Sequence, residues 1–459
     1  MIILIPIEIK VREFLPKMIL IGELLKIKKK VTIYFYRGRS FLRLVKKMKD
    51  VIFFDKSLSE TKIGFHKEIL KKNFIISLDE EGPIYNWDQL TRKARLPKKI
   101  ISKVSRIFLW GDYEKKFLTK KVKILVSGHP KYDLLKKRYF NKIFLKETNY
   151  IKRYFNNYIF VSSSFMQDVE GGHENYLRYL KKAYKGKSRK KNYEQFLKYQ
   201  ENDNENYIEL IKLTVGLAKK YPNKTIIFRP HPVQDEDIVR SKFPKKFNNL
   251  KIIRKFQITP WINLCDIYIH AHCTTSYEAA ILNKKIITLI KNKNTEHKYN
   301  SLKFKLGKYF DSADKCLNFF ETKSELHKYH LPKKYIWNNN ANDLASKKIR
   351  NYIEDEFKYL KPELNFDKKL LISDNKNYMW PLASKVKNFF LKNNYLKYFD
   401  NFFELPADWF LDRDYKKKKF DKFNLNEINN FLNCILNKKI VNKLKINKIS
   451  DEIIEFKKN

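Results

Sequence analysis

Three short polar runs carry residue types that bond-making chemistry needs. The first is Asp79-Glu80-Glu81-Gly82. Carboxylates packed this closely raise one another's pKa, which suits one of them to proton abstraction near neutral pH, and the glycine lets the chain turn sharply. A solvated acidic turn has the same composition. The second run is Arg229-Pro230-His231-Pro232. Two prolines fix the backbone around the histidine and keep a helix from starting there. A permanently charged guanidinium beside an imidazole donor makes a phosphate-binding pair; a purely structural histidine is the plainer reading. The third run is His270-Ala271-His272-Cys273-Thr274-Thr275-Ser276-Tyr277-Glu278. Hydroxyls at a helix start cap its free N–H groups, and the same groups with the helix dipole bind phosphate. Glu278, one turn in, is placed to accept hydrogen bonds from ribose hydroxyls. His270, His272 and Cys273 have no fourth ligand at a recognisable spacing, so no metal site is expected. The chain has no P-loop, no Gly-x-Gly-x-x-Gly fingerprint and no Gly-x-Ser-x-Gly elbow, which argues against a P-loop NTPase and a typical NAD enzyme.

These runs matter because of what precedes them. Ile2 to Ile7 is a continuous apolar run, the mark of a strand buried on both faces. Strand-like segments recur at Val31–Tyr36, Val51–Phe54, Asn73–Leu78, Ile107–Trp110 and Val122–Ser127, with helix-like segments at Phe14–Lys26, Glu60–Lys71 and Tyr113–Leu118 between them. The acid run closes the fourth strand of this series, Asn73–Leu78. A second alternating series follows, with strands at Tyr158–Ser162, Thr225–Phe228, Leu250–Ile253, Ile267–His270 and Lys285–Leu289, and helices at Glu205–Lys220 and Pro260–Cys265. The Arg229 and His270 runs close two of its strands. Such alternation predicts parallel sheets covered by helices, with ligands bound at the carboxyl ends of the strands. The sequence divides into an α/β domain over 1–135, a helical connector over 136–157, a second α/β domain over 158–345 and a helical extension over 346–459. Residues 300–360 and the tail read as largely helical.

Composition bounds the rest. The 459 residues are 43% hydrophobic and 15% aromatic, enough for sizeable cores, which excludes global disorder. Only 11 glycines and 14 prolines exclude collagen-like and low-complexity chains. Four cysteines without paired spacing read as reduced thiols of a cytosolic protein. The apolar N-terminal run breaks at Glu8, too early for a signal peptide or a membrane span. A formal charge of +47 attracts polyanions: nucleic acid, phosphorylated substrates or an anionic membrane surface. The excess is spread along the chain, and is densest at Lys181–Lys191 and Lys416–Lys419. Aromatic residues interleave with lysines over Tyr193–Tyr199, but no nucleic-acid module is recognisable. The expected place is the cytoplasm, with the basic patches against the inner membrane face.

Taken in order, I-P-I-E-I-K-V-R-E at the start, D-E-E-G at 79–82, G-H-P-K-Y-D at 128–133, R-P-H-P at 229–232 and H-C-T-T-S-Y-E-A at 272–279 resemble surface carbohydrate (polysaccharide) biosynthesis proteins. These are bacterial glycosyltransferases of the two-Rossmann-domain (GT-B) type, similar to capsule polysialyltransferases and β-Kdo transferases. The resemblance spans about residues 1 to 350. It implies two Rossmann-like domains facing across a cleft and a metal-independent transfer without a cofactor. The donor is a nucleotide-sugar and the acceptor a surface polysaccharide or lipid-linked glycan. It places Glu81 as the base toward the acceptor hydroxyl, with Glu80 as its support or the alternative base. His231 and Pro232 fall on the donor-phosphate motif, Arg229 adds charge, Thr274, Thr275 and Ser276 match the phosphate-binding hydroxyls, and Glu278 matches the ribose position. The relatives' Glu-Asp-Gly stands here as Glu-Glu-Gly, so the donor is open between a CMP-sugar and a nucleoside-diphosphate sugar. A teichoic-acid-type polyol-phosphate transferase is the alternative enzyme, and a basic nucleic-acid-binding protein the alternative class.

Overall fold

The computed structural model describes residues 1–37, 45, 47–84, 89–165, 168, 187–232, 234–291, 306–322, 325–364 and 422–458, with the backbone alone over 89–91 and 187–200. The basic run at 181–191, the aromatic–lysine run at 193–199 and Lys416–Lys419 lie outside the described side chains. Among the described residues one compact unit comprises 1–145, 331–364 and 422–458, and a second comprises 146–330.

The first unit is built on an eight-stranded sheet. Its parallel part contains β1 (Ile2–Pro6), β2 (Val31–Tyr36), β3 (Ile52–Asp55), β4 (Phe74–Leu78), β5 (Arg106–Leu109) and β6 (Ile124–Val126). The sheet is ordered β2-β1-β3-β4-β5-β6, so the chain leaves β1 on one side and returns on the other. That reversal makes the carboxyl ends of β1 and β3 a switch point. Ile3, Leu4 and Ile5 are fully buried, as a central strand's apolar run requires. Helix α1 (Lys10–Leu24) buries an apolar face that includes Phe14, Met18 and Ile21, with the Phe14 ring stacked on Phe35 of β2.

The second unit is a six-stranded parallel sheet. Its strands are β7 (Ile159–Ser162), β8 (Ile226–Arg229), β9 (Leu250–Ile252), β10 (Ile267–His270), β11 (Lys285–Leu289) and β12 (Lys308–Phe310), ordered β9-β8-β7-β10-β11-β12. Its switch point lies between β7 and β10. Helices α2 (Lys187–Lys220), α3 (Ile258–Leu264) and α4 (Ser276–Ile281) belong to it. The α/β class with two parallel sheets is therefore what the sequence leads one to expect.

The end of the chain departs from the expected helical extension. Helix α5 (Ala345–Glu356) packs on α1, and α6 (Leu425–Ile435) follows, but β13 (Leu444–Ser450) and β14 (Ile453–Lys458) form an antiparallel hairpin. Strand β14 pairs antiparallel with β2 and completes the first sheet as β13-β14-β2. Its Ile453, Ile454 and Phe456 are buried, and the carboxylate of buried Glu455 accepts hydrogen bonds from Tyr34 at 2.8 Å and Asn447 at 2.9 Å. A partner strand more than 400 residues away leaves no local trace of this hairpin in the sequence. Likewise β12 is a strand inside a region read as helical. Residues 331–345, assigned from sequence to the second domain, belong to the first unit, as does the helix Lys137–Ile143 expected in the connector.

One residue anchors that returning segment. Buried Asp133 accepts hydrogen bonds from Asn338 Nδ2 (2.6 Å), the N–H groups of Ala345 and Ser346 (2.9 Å each) and Ser346 Oγ (2.6 Å). It caps α5 from a distant part of the chain, a role that no side chain of α5's own N-terminus fills. No helix among the described residues is long and apolar enough to cross a membrane.

Candidate active site

In the first unit the acid run starts where β4 ends. The Asp79 carboxylate turns inward onto Arg95, with Nε at 3.0 Å and Nη2 at 2.6 Å, and its carbonyl accepts from the Trp110 indole at 3.0 Å. The Glu81 N–H donates to Asp79 Oδ1 at 2.8 Å, closing an Asx-type turn that Gly82 continues with φ 128°, a conformation that favours glycine. Burial pushes the Asp79 carboxyl up to about 6 despite Arg95.

The next two carboxylates diverge. The Glu80 side chain is 8% exposed, with Lys17 Nζ 3.6 Å and His129 Nε2 3.2 Å away. Burial alone would raise its pKa, but Lys17 and then His129 hold it below the ordinary carboxylate value. The Glu81 side chain is 44% exposed and takes both terminal nitrogens of Arg12, at 3.2 and 2.9 Å. His129 Nδ1 accepts from the Lys131 N–H at 3.1 Å, which caps the short helix Pro130–Asp133 and leaves the ring proton on Nε2, toward Glu80. The backbone of His129 is clamped in turn: its N–H donates to Asn338 Oδ1 (3.1 Å) and its carbonyl accepts from Asn338 Nδ2 (2.9 Å).

A charge network that the sequence reading missed surrounds these acids. Fully buried Glu13 lies 2.9 Å from Lys17, 3.2 Å from Arg12 and 3.3 Å from Lys56, and accepts from the Glu8 N–H at 2.9 Å. Lys56 also pairs with Glu8. Burial would raise the Glu13 carboxyl, yet Lys17, Lys56 and Arg12 outweigh it and hold it well below the ordinary range. The signal was present: Glu13 and Lys17 stand four residues apart on a helix face that is otherwise apolar, and such a pair is retained there only when its members find partners.

In the second unit, strand register sets the runs side by side. Ser162 pairs with Arg229 on one flank and His270 on the other. The buried Arg229 guanidinium donates to the carbonyls of Lys255 (3.0 Å) and Phe256 (2.6 Å). It thereby holds a turn in which Phe256 has φ 66°, and burial, then Arg254, pushes its pKa down to about 10. These described bonds of Arg229 serve the loop, where the sequence pointed to a phosphate. The His231 N–H donates to Gln234 Oε1 at 2.8 Å, Gln234 N–H returns a bond to the His231 carbonyl at 2.9 Å, and Ser163 Oγ donates to the same Oε1 at 2.7 Å. Gln234 thus ties the loops after β7 and β8 together and presents a half-buried His231. Pro232 is exposed beside it.

The third run turns several of its members inward. His270 Nε2 lies 3.0 Å from Thr288 Oγ1, which itself donates to the Leu306 carbonyl at 2.6 Å. Thr275 is the N-cap of the six-residue α4, but its hydroxyl bonds Cys273 Sγ (2.8 Å) and Tyr268 OH (2.5 Å) instead of the helix N–H groups. Ser276 is fully buried, and its Oγ has no hydrogen-bond partner among the described residues. Glu278 is 1% exposed, and its Oε2 accepts from Thr259 at 2.7 Å. Thr274 remains half-buried. His272, assigned no role from sequence beyond a rejected metal site, sits between Ser164 Oγ at 3.0 Å and Asp203 Oδ1 at 3.1 Å. The three hydroxyls Ser162–Ser164 at the carboxyl end of β7 were the available signal for this corner. Among the described residues no group of three or more His, Cys, Asp and Glu is placed to hold a metal ion.

Neither a protein-family model nor a curated protein matches the chain. Among solved structures, similarity extends to the UDP-GlcNAc 2-epimerase of Methanocaldococcus jannaschii, at 12% identity and a TM-score of 0.46, over 77% of this chain and 99% of that one. The UDP-GlcNAc 2-epimerase of Neisseria meningitidis matches with the same identity, TM-score and coverage. The wall teichoic acid polymerase TagF matches at 10% identity and a TM-score of 0.41, over 78% of this chain and 88% of that one.

Proposed function

We propose that this protein is a GT-B-type glycosyltransferase that moves a sugar from a nucleotide-activated donor to a surface-polysaccharide or lipid-linked glycan. One observation carries the reading: of two adjacent carboxylates after β4, Glu80 is buried against Lys17 and His129 while Glu81 is presented to solvent beside Arg12. Glu81 takes the proton of the acceptor hydroxyl as that oxygen attacks the anomeric carbon, and Arg12, bonded to both carboxylate oxygens, orients it. Glu80 is a positioning residue, committed to the buried network. The bond between the anomeric carbon and the phosphate oxygen breaks, and its electron pair leaves with the nucleotide.

The donor is assigned to the second unit, at its switch point. His231, held through its backbone by Gln234, faces the phosphate together with Thr274, and Arg229 acts by shaping the 254–256 turn. The donor is a CMP-sugar or a nucleoside-diphosphate sugar. The charge of +47 draws the enzyme to anionic surfaces, in keeping with a lipid-linked acceptor at the cytoplasmic membrane face.

Purified protein incubated with CMP-sugars, UDP-sugars and CDP-glycerol, with and without a bacterial glycan acceptor, tests the proposal. Acceptor-dependent release of CMP or UDP from a sugar donor, with a lengthened glycan by mass spectrometry, is the expected result. Release from CDP-glycerol alone replaces it with polyol-phosphate transfer, and epimerised UDP-sugar without transfer rejects it.

A further inference from the structure

We infer that Asp203, His272 and Ser164 form a proton relay ending at the leaving phosphate oxygen of the donor, an inference that rests on the glycosyl-transfer reading. All three lie in the second unit. Ser164 follows the carboxyl end of β7, the middle strand at the switch point, and His272 stands at the matching level past β10, since Ser162 and His270 are register partners. Ser164 Oγ is 3.0 Å from His272 Nδ1, and Asp203 Oδ1 is 3.1 Å from His272 Nε2. Phe165 packs edge-on against the imidazole, at 4.9 Å between centroids and an interplanar angle of 81°, which fixes the ring plane. Asp203 comes from the long helix α2, so the acid is delivered by a rigid element.

Burial gives the relay a direction. Asp203 and His272 are buried, and Ser164 is half-buried, so the hydroxyl is the end within a ligand's reach. The site needs such a device. A departing nucleotide carries new negative charge that must meet a cation or a proton. The Arg229 guanidinium already donates to two backbone carbonyls. As the bond from carbon to phosphate oxygen breaks, Ser164 Oγ–H gives its proton to that oxygen and takes one from His272 Nδ1–H. Asp203 stays ionised throughout and stabilises the imidazolium before transfer. Glu81 gains the proton that the acceptor loses, so the reaction is proton-neutral overall, and both groups reset through solvent. The same three residue types also serve nucleophilic serines, but the Phe165 N–H, which a nucleophilic Ser164 would need as an oxyanion donor, points to Ser163 Oγ at 3.4 Å.

The test compares two leaving groups. Ser164→Ala, His272→Ala and Asp203→Asn are assayed with the nucleotide-sugar and with a 2,4-dinitrophenyl glycoside of the same sugar, whose phenolate is a weaker base than the departing phosphate and leaves without a proton. The relay predicts a loss of about 100-fold or more in kcat with the nucleotide donor, within the range of general-acid contributions, and a loss within about threefold with the aryl donor. A merely structural role slows both alike. Added imidazole should restore rate to His272→Ala and not to Ser164→Ala, which decides the matter if the aryl donor is refused. Equal losses on both donors, full activity of all variants, absent imidazole rescue, or fluorophosphonate labelling of Ser164 that His272→Ala abolishes would each overturn the relay. Wild-type protein that transfers from no sugar donor instead rejects the underlying function.

Discussion

Glu81→Gln tests the proposed base without changing its shape. The side chain is 44% exposed and its described partner is Arg12, at 3.2 and 2.9 Å. An ion pair that open to solvent contributes about 1 kcal/mol or less, so the melting temperature should move by no more than about 4 °C. A general base contributes roughly 10²–10⁴ in rate, or about 3–5 kcal/mol of barrier. The variant should therefore lose at least about 100-fold in kcat. Donor affinity, read by calorimetry with the free nucleotide, should stay within about threefold, because the residues proposed to hold the donor, His231 and Thr274, belong to the other unit. Glu80→Gln should invert the pattern. Its side chain is 8% exposed between Lys17 and His129, and removing one partner of a buried pair costs about 3–5 kcal/mol, so it should lose stability first. The assay pairs thermal melting with initial rates for both variants. A Glu81→Gln enzyme within about threefold of wild-type kcat, beside a folded Glu80→Gln enzyme that is inactive, would move the base to Glu80 and refute the argument from exposure.

Three further outcomes follow from the packing of the first unit. Gly128 has φ 77°, and a Cβ there would lie 2.1 Å from Asn338 Oδ1; because Asn338 is bonded to His129 in both directions, Gly128→Ala should cost about 2 kcal/mol or more, and an unchanged melting temperature would contradict this. Asp133→Ala orphans the four donors that converge on it and should destabilise the first unit by about 3 kcal/mol, read as an earlier urea transition of first-unit tryptophans such as Trp110. Burial raises the Asp55 carboxyl, but Lys62 at 2.9 Å and His66 at 2.6 Å outweigh it and bring it to about 2. A folded-state pKa below the unfolded value of about 3.9 means stability present above that pH and lost as pH falls toward 2, worth about 2–3 kcal/mol. Asp55→Asn should flatten stability against pH between about 4 and 2, and a wild-type-like acid slope in the variant would rule the assignment out.

The apolar runs were readable because strand burial leaves a local mark. Ile2–Pro6, Val31–Tyr36, Ile267–His270 and Lys285–Leu289 lie where the sequence places them, and each polar run does begin at a strand's carboxyl end. The hairpin at 444–458 was not readable, since its pairing partner is β2 at the far end of the chain.

Within the site, residue type determined what chemistry was available and position after a strand determined where to look. Which acid faces solvent, which arginine is committed to carbonyls and which histidine joins a serine to an aspartate were decided only in three dimensions. The physical reason is that a polar group's role depends on its partners, and those partners are chosen by packing across the fold. His129 meets Asn338 across 209 residues and Ser164 meets His272 across 108, distances over which side-chain periodicity carries no information.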